Sequence, residues 1–397
     1  MALAGDSADL QTSPVAKLQD AMPGEQPQLT DVLPWWSDWL SHPERGEFWD
    51  ELSSVSDEGA VTVPSLHIGG WFDMFAGSTA REFTRMRAHS ASEEVREGHQ
   101  MIIGPWDHQE YTGIYKDRQF GSTAHIATIG LTESYLRFYN RWLRGETDDG
   151  GKDAPVRIFV MGVDEWREEQ DWPLPDTEYV DYFLDGAGKA NTGDGDGILR
   201  VDPPAGEAID AYAYDPARPV PSCGGRVWQP SALNSVGPVD QREIETRHDV
   251  LCYSSPVLEE SVEVTGHVSL VLHVTSSVPD TDFTGKLVDV HPDGRAIYLT
   301  DGILRARYRN SLTTPELLEP EAEYEMTLDL SVTSNVFLPG HRIRLEVSSS
   351  NYPRYDRNTN TGGDINTDTL AECVAATNRV LHGPAHPSRL VLPVIKR

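Results

Sequence analysis

The chain has 397 residues, with 63 Asp+Glu against 33 Lys+Arg and a formal net charge of -30. That length suits two domains better than one, and so acidic a surface repels nucleic acid and anionic membranes. No stretch approaches the roughly 18 apolar residues of a membrane span, and Met1 to Asp20 lack the basic start and apolar run of a signal peptide; a soluble, cytoplasmic protein is expected.

Only six of the basic residues are lysine: Lys17, Lys116, Lys152, Lys189, Lys286 and Lys396. Many carboxylates with few lysines is a halophilic composition, in which salt screens the self-repulsion of the folded state. The acids are spread along the chain rather than gathered in one tail, which disfavours a dedicated acidic binding surface. Three cysteines, Cys223, Cys252 and Cys373, form no CxxC pair, so neither a disulfide framework nor a thiolate metal site is expected.

Residues 1 to about 30 are polar, with Pro14, Pro23 and Pro27, and predict a loose lead-in. Helical segments follow around Trp35-Trp36-Ser37-Asp38-Trp39-Leu40 and around Phe48, Trp49 and Leu52. Their tryptophans read equally as core or as the wall of a substrate pocket. Val61 to Ile68 is a short apolar run ending in Gly69-Gly70, as in a buried strand of a parallel sheet. A helix is predicted from about Met74 to Arg87, a second buried strand at Met101-Ile102-Ile103, and a third helix from about Leu131 to Leu143. Strand, helix, strand, helix is the order of a doubly wound α/β sheet.

A polar, glycine-rich stretch, Gly145 to Lys152, then places a domain boundary near residue 150. Beyond it the runs are short, alternating and β-branched: Arg157 to Met161, Tyr179 to Leu184, Val264 to Thr275, Thr281 to Val290, Tyr324 to Val332, Ile343 to Ser348 and Arg389 to Ile395. Many such strands punctuated by Gly, Pro, Asp and Asn predict a β-sandwich or jelly roll.

Two motifs carry the chemistry. Gly69-Gly70-Trp71-Phe72-Asp73 and Gly104-Pro105-Trp106-Asp107-His108 close the two predicted strands at their carboxyl ends, where open α/β sheets build their active sites. An acid after one strand and a histidine after the next is the Asp-then-His order of an α/β-hydrolase triad. His108 would take the proton from a serine hydroxyl, and Asp73 would hold the imidazole in the right tautomer. The competing reading is plain: Asp73 precedes a helix and could be its N-cap, and a lone histidine after a strand is commonly a surface residue.

These motifs resemble the acid and base motifs of the CocE/NonD (cocaine-esterase-like, X-Pro dipeptidyl-peptidase-like) serine hydrolases. The second half resembles that family's jelly-roll domain at Asp280 to Phe283, Lys286 to Gly294, Asp301 to Arg309, Pro339-Gly340-His341, Ser349 to Asn358 and His386 to Leu390. The resemblance covers the chain from about Leu33. It implies α/β plus all-β architecture: the end of a helical cap (1–55), the C-terminal part of an α/β-hydrolase sheet (56–149), and a jelly-roll β-sandwich (150–397). It implies a hydrolase of small-molecule acyl esters, amides or peptides, with Asp73 and His108 catalytic. Trp35, Trp36, Trp39, Trp71, Phe72 and Trp106 are the expected pocket residues.

The family's nucleophile sits in a Gly-x-Ser-x-Gly elbow, which this sequence lacks. The nearest look-alike, Gly5-Asp6-Ser7-Ala8-Asp9, has neither the second glycine nor a preceding strand. The sequence thus reads as beginning inside the cap, truncated before its serine. It is expected to work with a separate N-terminal half or as a homo-oligomer, or to be a non-catalytic remnant or binding module using its jelly roll. No HxH or HExxH arrangement is present among the 13 histidines, so no metal and no other cofactor is expected.

Overall fold

A computed structural model describes residues 35–53, 60–146, 153–228 and 235–396. The predicted lead-in, the look-alike at Gly5 to Asp9, the Gly150-Gly151 linker and the side chain of Trp36 lie outside what is described.

The chain enters through two short helices, α1 (Trp35–Ser41) and α2 (Glu47–Leu52). Strand β1 (Leu66–Gly70) starts later than its apolar run suggests, just past Pro64, which has no N–H to give to a ladder. Helix α3 (Ala76–His89) and a short α4 (Glu93–Gly98) lead back to β2 (Gln100–Gly104). Ser92 caps α4 by accepting the Val95 amide at 3.3 Å, the kind of cap that satisfies an otherwise orphaned donor. β1 and β2 pair in parallel, from Leu66 opposite Gln100 to Gly70 opposite Gly104. Both motif-bearing strand ends therefore finish at the same height.

α5 (Leu131–Arg144) follows, closed by Gly145 in the left-handed region at φ 68°. Strand β3 (Val156–Val160), read from the sequence as the first of the β-rich half, pairs in parallel with β2. β4 (Glu165–Glu169) folds back antiparallel on β3, giving a four-stranded sheet in the order β1-β2-β3-β4. The α/β sheet thus extends about twenty residues past residue 150. A buried strand's pattern shows that it is covered on both faces, but not which sheet it joins.

The remaining strands are β5 (Thr177–Asp185), β6 (Gly197–Arg200), β7 (Ala208–Tyr214), β8 (Leu251–Ser254), β9 (Val262–Ser276), β10 (Asp282–Val290), β11 (Ala296–Arg305), β12 (Tyr324–Phe337), β13 (Arg342–Ser348), β14 (Ala376–His382) and β15 (Arg389–Ile395). They form one eleven-stranded, mostly antiparallel sheet wrapped into a sandwich, ordered β11-β10-β13-β8-β6-β5-β15-β9-β14-β7, with β12 on β9. β11 had no clear strand signature because seven successive residues from its start are buried, which leaves no alternation to read.

The two layers are stitched directly. Met161, just past β3, donates to Ser334 O of β12 at 3.0 Å and accepts from Val336 at 2.8 Å. Arg81 of α3 pairs with Asp329 of β12 at 2.8 Å. One continuous apolar core runs from Trp71, Phe72 and Phe83 through Phe159 into Phe283, Leu328 and Leu345.

His67, on β1, sits edge-on to the Phe83 ring at 5.8 Å, with its buried Nε2 unpartnered. Burial first, and the neighbouring His99 second, lower its pKa from 6.5 to about 4. The folded protein then refuses a proton that the unfolded chain accepts, so stability falls as pH drops from about 6.5 to about 4. At about 1.4 kcal/mol per unit this costs about 3 kcal/mol. Urea unfolding at pH 7 and pH 4 should show that loss in the wild type and a smaller one in His67→Gln; equal losses would remove His67 as the cause.

Candidate active site

The two glycine motifs interlock. A Cβ on Gly70 would lie 2.2 Å from Trp106 O, and one on Gly104 would lie 2.4 Å from the Trp106 ring. Side chains are excluded at both positions because the two strand-end turns cross at van der Waals distance. Backbone hydrogen bonds then lock the turns: Trp71 N to Gly104 O and Phe72 N to Trp106 O, both 2.9 Å, and Asp73 N to Gly70 O, 3.0 Å.

This lock delivers Asp73 and His108 to one another. Nδ1 of His108 lies 3.2 Å from Asp73 Oδ2 and 3.3 Å from Oδ1. Asp73 is buried, and the His108 side chain keeps 29% of its surface exposed. Oδ1 of Asp73 also accepts the Phe75 amide at 2.9 Å. The carboxylate therefore braces the turn before α3 and meets the histidine; the N-cap of α3 is Phe75, with no side-chain cap, so Asp73 is not the helix cap that the sequence offered as the alternative. Asp107 accepts the amides of Gln109 and Glu110, each at 2.8 Å, which braces the loop behind His108.

Among the described residues Nε2 of His108 has no hydrogen-bond partner. The ring lies between two aromatics: Trp228 at 4.4 Å and Phe75, edge-on, at 5.5 Å, each 46% exposed. Neither was singled out in the sequence. Phe75 left one signal, an aromatic two residues after the acid; Trp228 left none, because it arrives from the β-rich half, 120 positions beyond His108.

The expected pocket aromatics separate. Trp71, Phe72 and Trp106 have no exposed surface and pack in the core. Their indoles are used internally: Trp71 Nε1 donates to Phe159 O and Trp106 Nε1 to Ala124 O, both at 2.7 Å. They follow the strand ends and point inward, while His108, two residues beyond Trp106, keeps part of its side chain exposed. Trp35 and Trp39 are exposed and pack on each other at 4.4 Å. Among the described residues neither makes a ring contact with His108.

Among the described residues no helix is long and apolar enough to cross a membrane. The three cysteines are unpaired.

Comparison with known proteins fits this architecture. Residues 151–391 match the X-Pro dipeptidyl-peptidase C-terminal non-catalytic domain, and residues 4–110 match the X-Pro dipeptidyl-peptidase (S15) family. The cocaine esterase of Rhodococcus sp. (strain MB1 Bresler) is 49% identical over 374 residues, 94% of this chain and 64% of that protein's length. The fold is similar to that of an α-amino acid ester hydrolase, with TM-score 0.75 and 25% identity over 92% of this chain and 61% of that one. It is also similar to an aminopeptidase from a marine sediment archaeon (Thaumarchaeota archaeon), with TM-score 0.83 and 24% identity over 99% of this chain and 65% of that one. The chain thus spans about two thirds of the length of these relatives. With strand ends, acid–histidine pair, sandwich and matched residues all in agreement, the chain belongs to the CocE/NonD family, its second half being the X-Pro dipeptidyl-peptidase-type C-terminal domain.

Proposed function

We propose that Asp73 and His108 are the acid and base of a Ser-His-Asp triad that hydrolyses small-molecule acyl esters, amides or peptides. The observation that carries this reading is the His108 Nδ1–Asp73 carboxylate contact, with Nε2 unpartnered among the described residues and the ring beside Phe75 and Trp228. Asp73 selects the tautomer with the proton on Nδ1, which leaves Nε2 as the base for a serine hydroxyl. The acyl group's apolar part would lie between Phe75 and Trp228.

No Gly-x-Ser-x-Gly elbow occurs in the sequence, so in this reading a separate polypeptide segment supplies the serine and the oxyanion donors. The outer edge of β1, unpaired among the described residues, offers a parallel strand position for it. The test is complementation with the part of Rhodococcus cocaine esterase that this chain does not span. The polypeptide alone should leave a p-nitrophenyl acyl ester intact. The joined protein should hydrolyse it and label with a fluorophosphonate. A folded, joined protein without turnover favours a second reading, supported by the match of residues 151–391 to a non-catalytic domain: a binding module.

The working environment is proposed to be a cytoplasm of high ionic strength. In dilute buffer the Debye length grows to roughly 30 Å and the 63 acidic residues repel across the surface. Melting followed by circular dichroism should move upward between dilute buffer and molar KCl; an unchanged midpoint would count against it.

A further inference from the structure

A cavity of about 200 Å³ lies where the α/β sheet meets the sandwich, with Phe72 and Phe120 on one wall and Asp289, His291 and His341 on the other. It belongs to neither the Asp73–His108 pair nor any role given above. Its polar wall is built by strand register. β10 and β13 pair antiparallel with Asp289 opposite Ile343 and Val290 opposite Arg342. One step further along that ladder, His291 falls opposite His341. Residues two apart on a strand share a face, so Asp289, His291 and His341 converge on one side of it.

The distances bear this out. His341 Nδ1 is 2.8 Å from Asp289 Oδ1, His291 Nε2 is 3.9 Å from Asp289 Oδ2, and the two imidazoles lie 4.4 Å apart. One donor atom from each residue lies within 4.8 Å of both others. Tetrahedral ligands at about 2.1 Å from a metal stand about 3.4 Å apart, so modest side-chain rotation closes the gap. A second observation points the same way. Asn335 lines the cavity, is 3% exposed, and its amide Nδ2 has no hydrogen-bond partner. A buried polar group without a partner is costly; a ligand in this cavity, or water bound to it, would satisfy it.

We propose that Asp289, His291 and His341 form a binding site for one divalent transition-metal ion of the zinc type, with the remaining coordination position toward Asn335. Two imidazoles and one carboxylate suit a borderline cation. The charge balance permits it. Arg118, also on the cavity wall, is neutralised by a two-pronged pair with Asp164 at 2.7 Å, leaving the Asp289 carboxylate as the net charge. Bound there, the ion would tie the β10–β11 turn and the start of β13 together behind Phe72, the residue next to Asp73. The sequence hid this site because its histidines stand 50 positions apart.

The experiment is titration of chelator-treated, full-length protein with Zn²⁺ in competition with a chromophoric chelator, with Co²⁺ as spectroscopic probe. The expected result is one tight site per chain, a Zn²⁺-dependent rise in melting temperature, and the strong visible bands of tetrahedral Co²⁺. His291→Ala should weaken binding at least tenfold and remove those bands. Its ring makes no hydrogen bond under 3.5 Å among the described residues, so the metal-free variant should melt close to wild type. Absence of a saturable one-to-one site, or binding unchanged in His291→Ala, overturns the proposal and assigns any bound zinc to surface carboxylates.

Discussion

In a chain completed with the segment of Rhodococcus cocaine esterase that it does not span, His108→Ala should lower kcat for a p-nitrophenyl acyl ester by about 10⁴-fold or more. The proton on the attacking hydroxyl has nowhere to go without Nε2. Asp73→Asn should cost about 10⁴-fold by a different route. The carboxamide oxygen of that variant could still accept the Phe75 amide, now held by the carboxylate at 2.9 Å, so the start of α3 survives. Its NH₂ group, however, would favour the wrong imidazole tautomer and could not stabilise the imidazolium. The two readings of Asp73 then separate cleanly. If the residue only braced the turn before α3, Asp73→Asn would leave turnover within a few-fold of the parent and His108→Ala would do little more. Circular dichroism of each variant guards against misfolding as the cause.

The second large effect is structural. Asp301→Ala should destabilise the protein by about 3–5 kcal/mol in denaturant unfolding. Asp301 is fully buried and accepts from Tyr298 Oη at 2.7 Å and Asn351 Nδ2 at 2.8 Å. Arg226 and Arg354 approach its Oδ1 at 3.2 and 3.4 Å. Burial by itself would raise the Asp301 pKa, but Arg354 and Arg226 outweigh it and hold the carboxyl below its usual range. Removing it strands two buried guanidinium groups. The lowered pKa also fixes the pH window: this stabilisation is complete above about pH 4 and is lost as pH falls further through the folded value. The wild type should therefore lose stability below pH 4, and Asp301→Ala should lose less over the same range. A variant that unfolds within 1 kcal/mol of wild type would show that the arginines are satisfied without the carboxylate.

The carboxyl ends of β1 and β2 were legible because each is a short apolar run closed by glycine, and both strand identity and order follow from local pattern. Asp73 and His108 followed from their places after those ends. The fate of Trp71, Phe72 and Trp106 did not. Hydrophobicity says that an aromatic seeks cover, but core and pocket both supply it. Their burial depends on Phe159 O and Ala124 O standing where the indoles can reach them. β7 (Ala208–Tyr214) alternates between buried and exposed along its length, yet its three alanines and one aspartate gave it too little β-propensity to stand out.

The features legible from residue order are therefore local: the strand–helix–strand unit, the glycines that let its two turns cross, the acid and the histidine placed beyond them, and the β-rich character of the second half. These depend on backbone freedom and on periods of two and 3.6 residues, which are written within a few positions of each residue. Long-range packing sets which sheet receives β3, brings Trp228 against His108, and puts Asp289, His291 and His341 around one cavity. Each joins residues 50 to 120 positions apart, or assigns a strand to one of two sheets that would cover it equally well. Burial energy is nearly indifferent to partner identity; register and packing across the whole molecule make the choice.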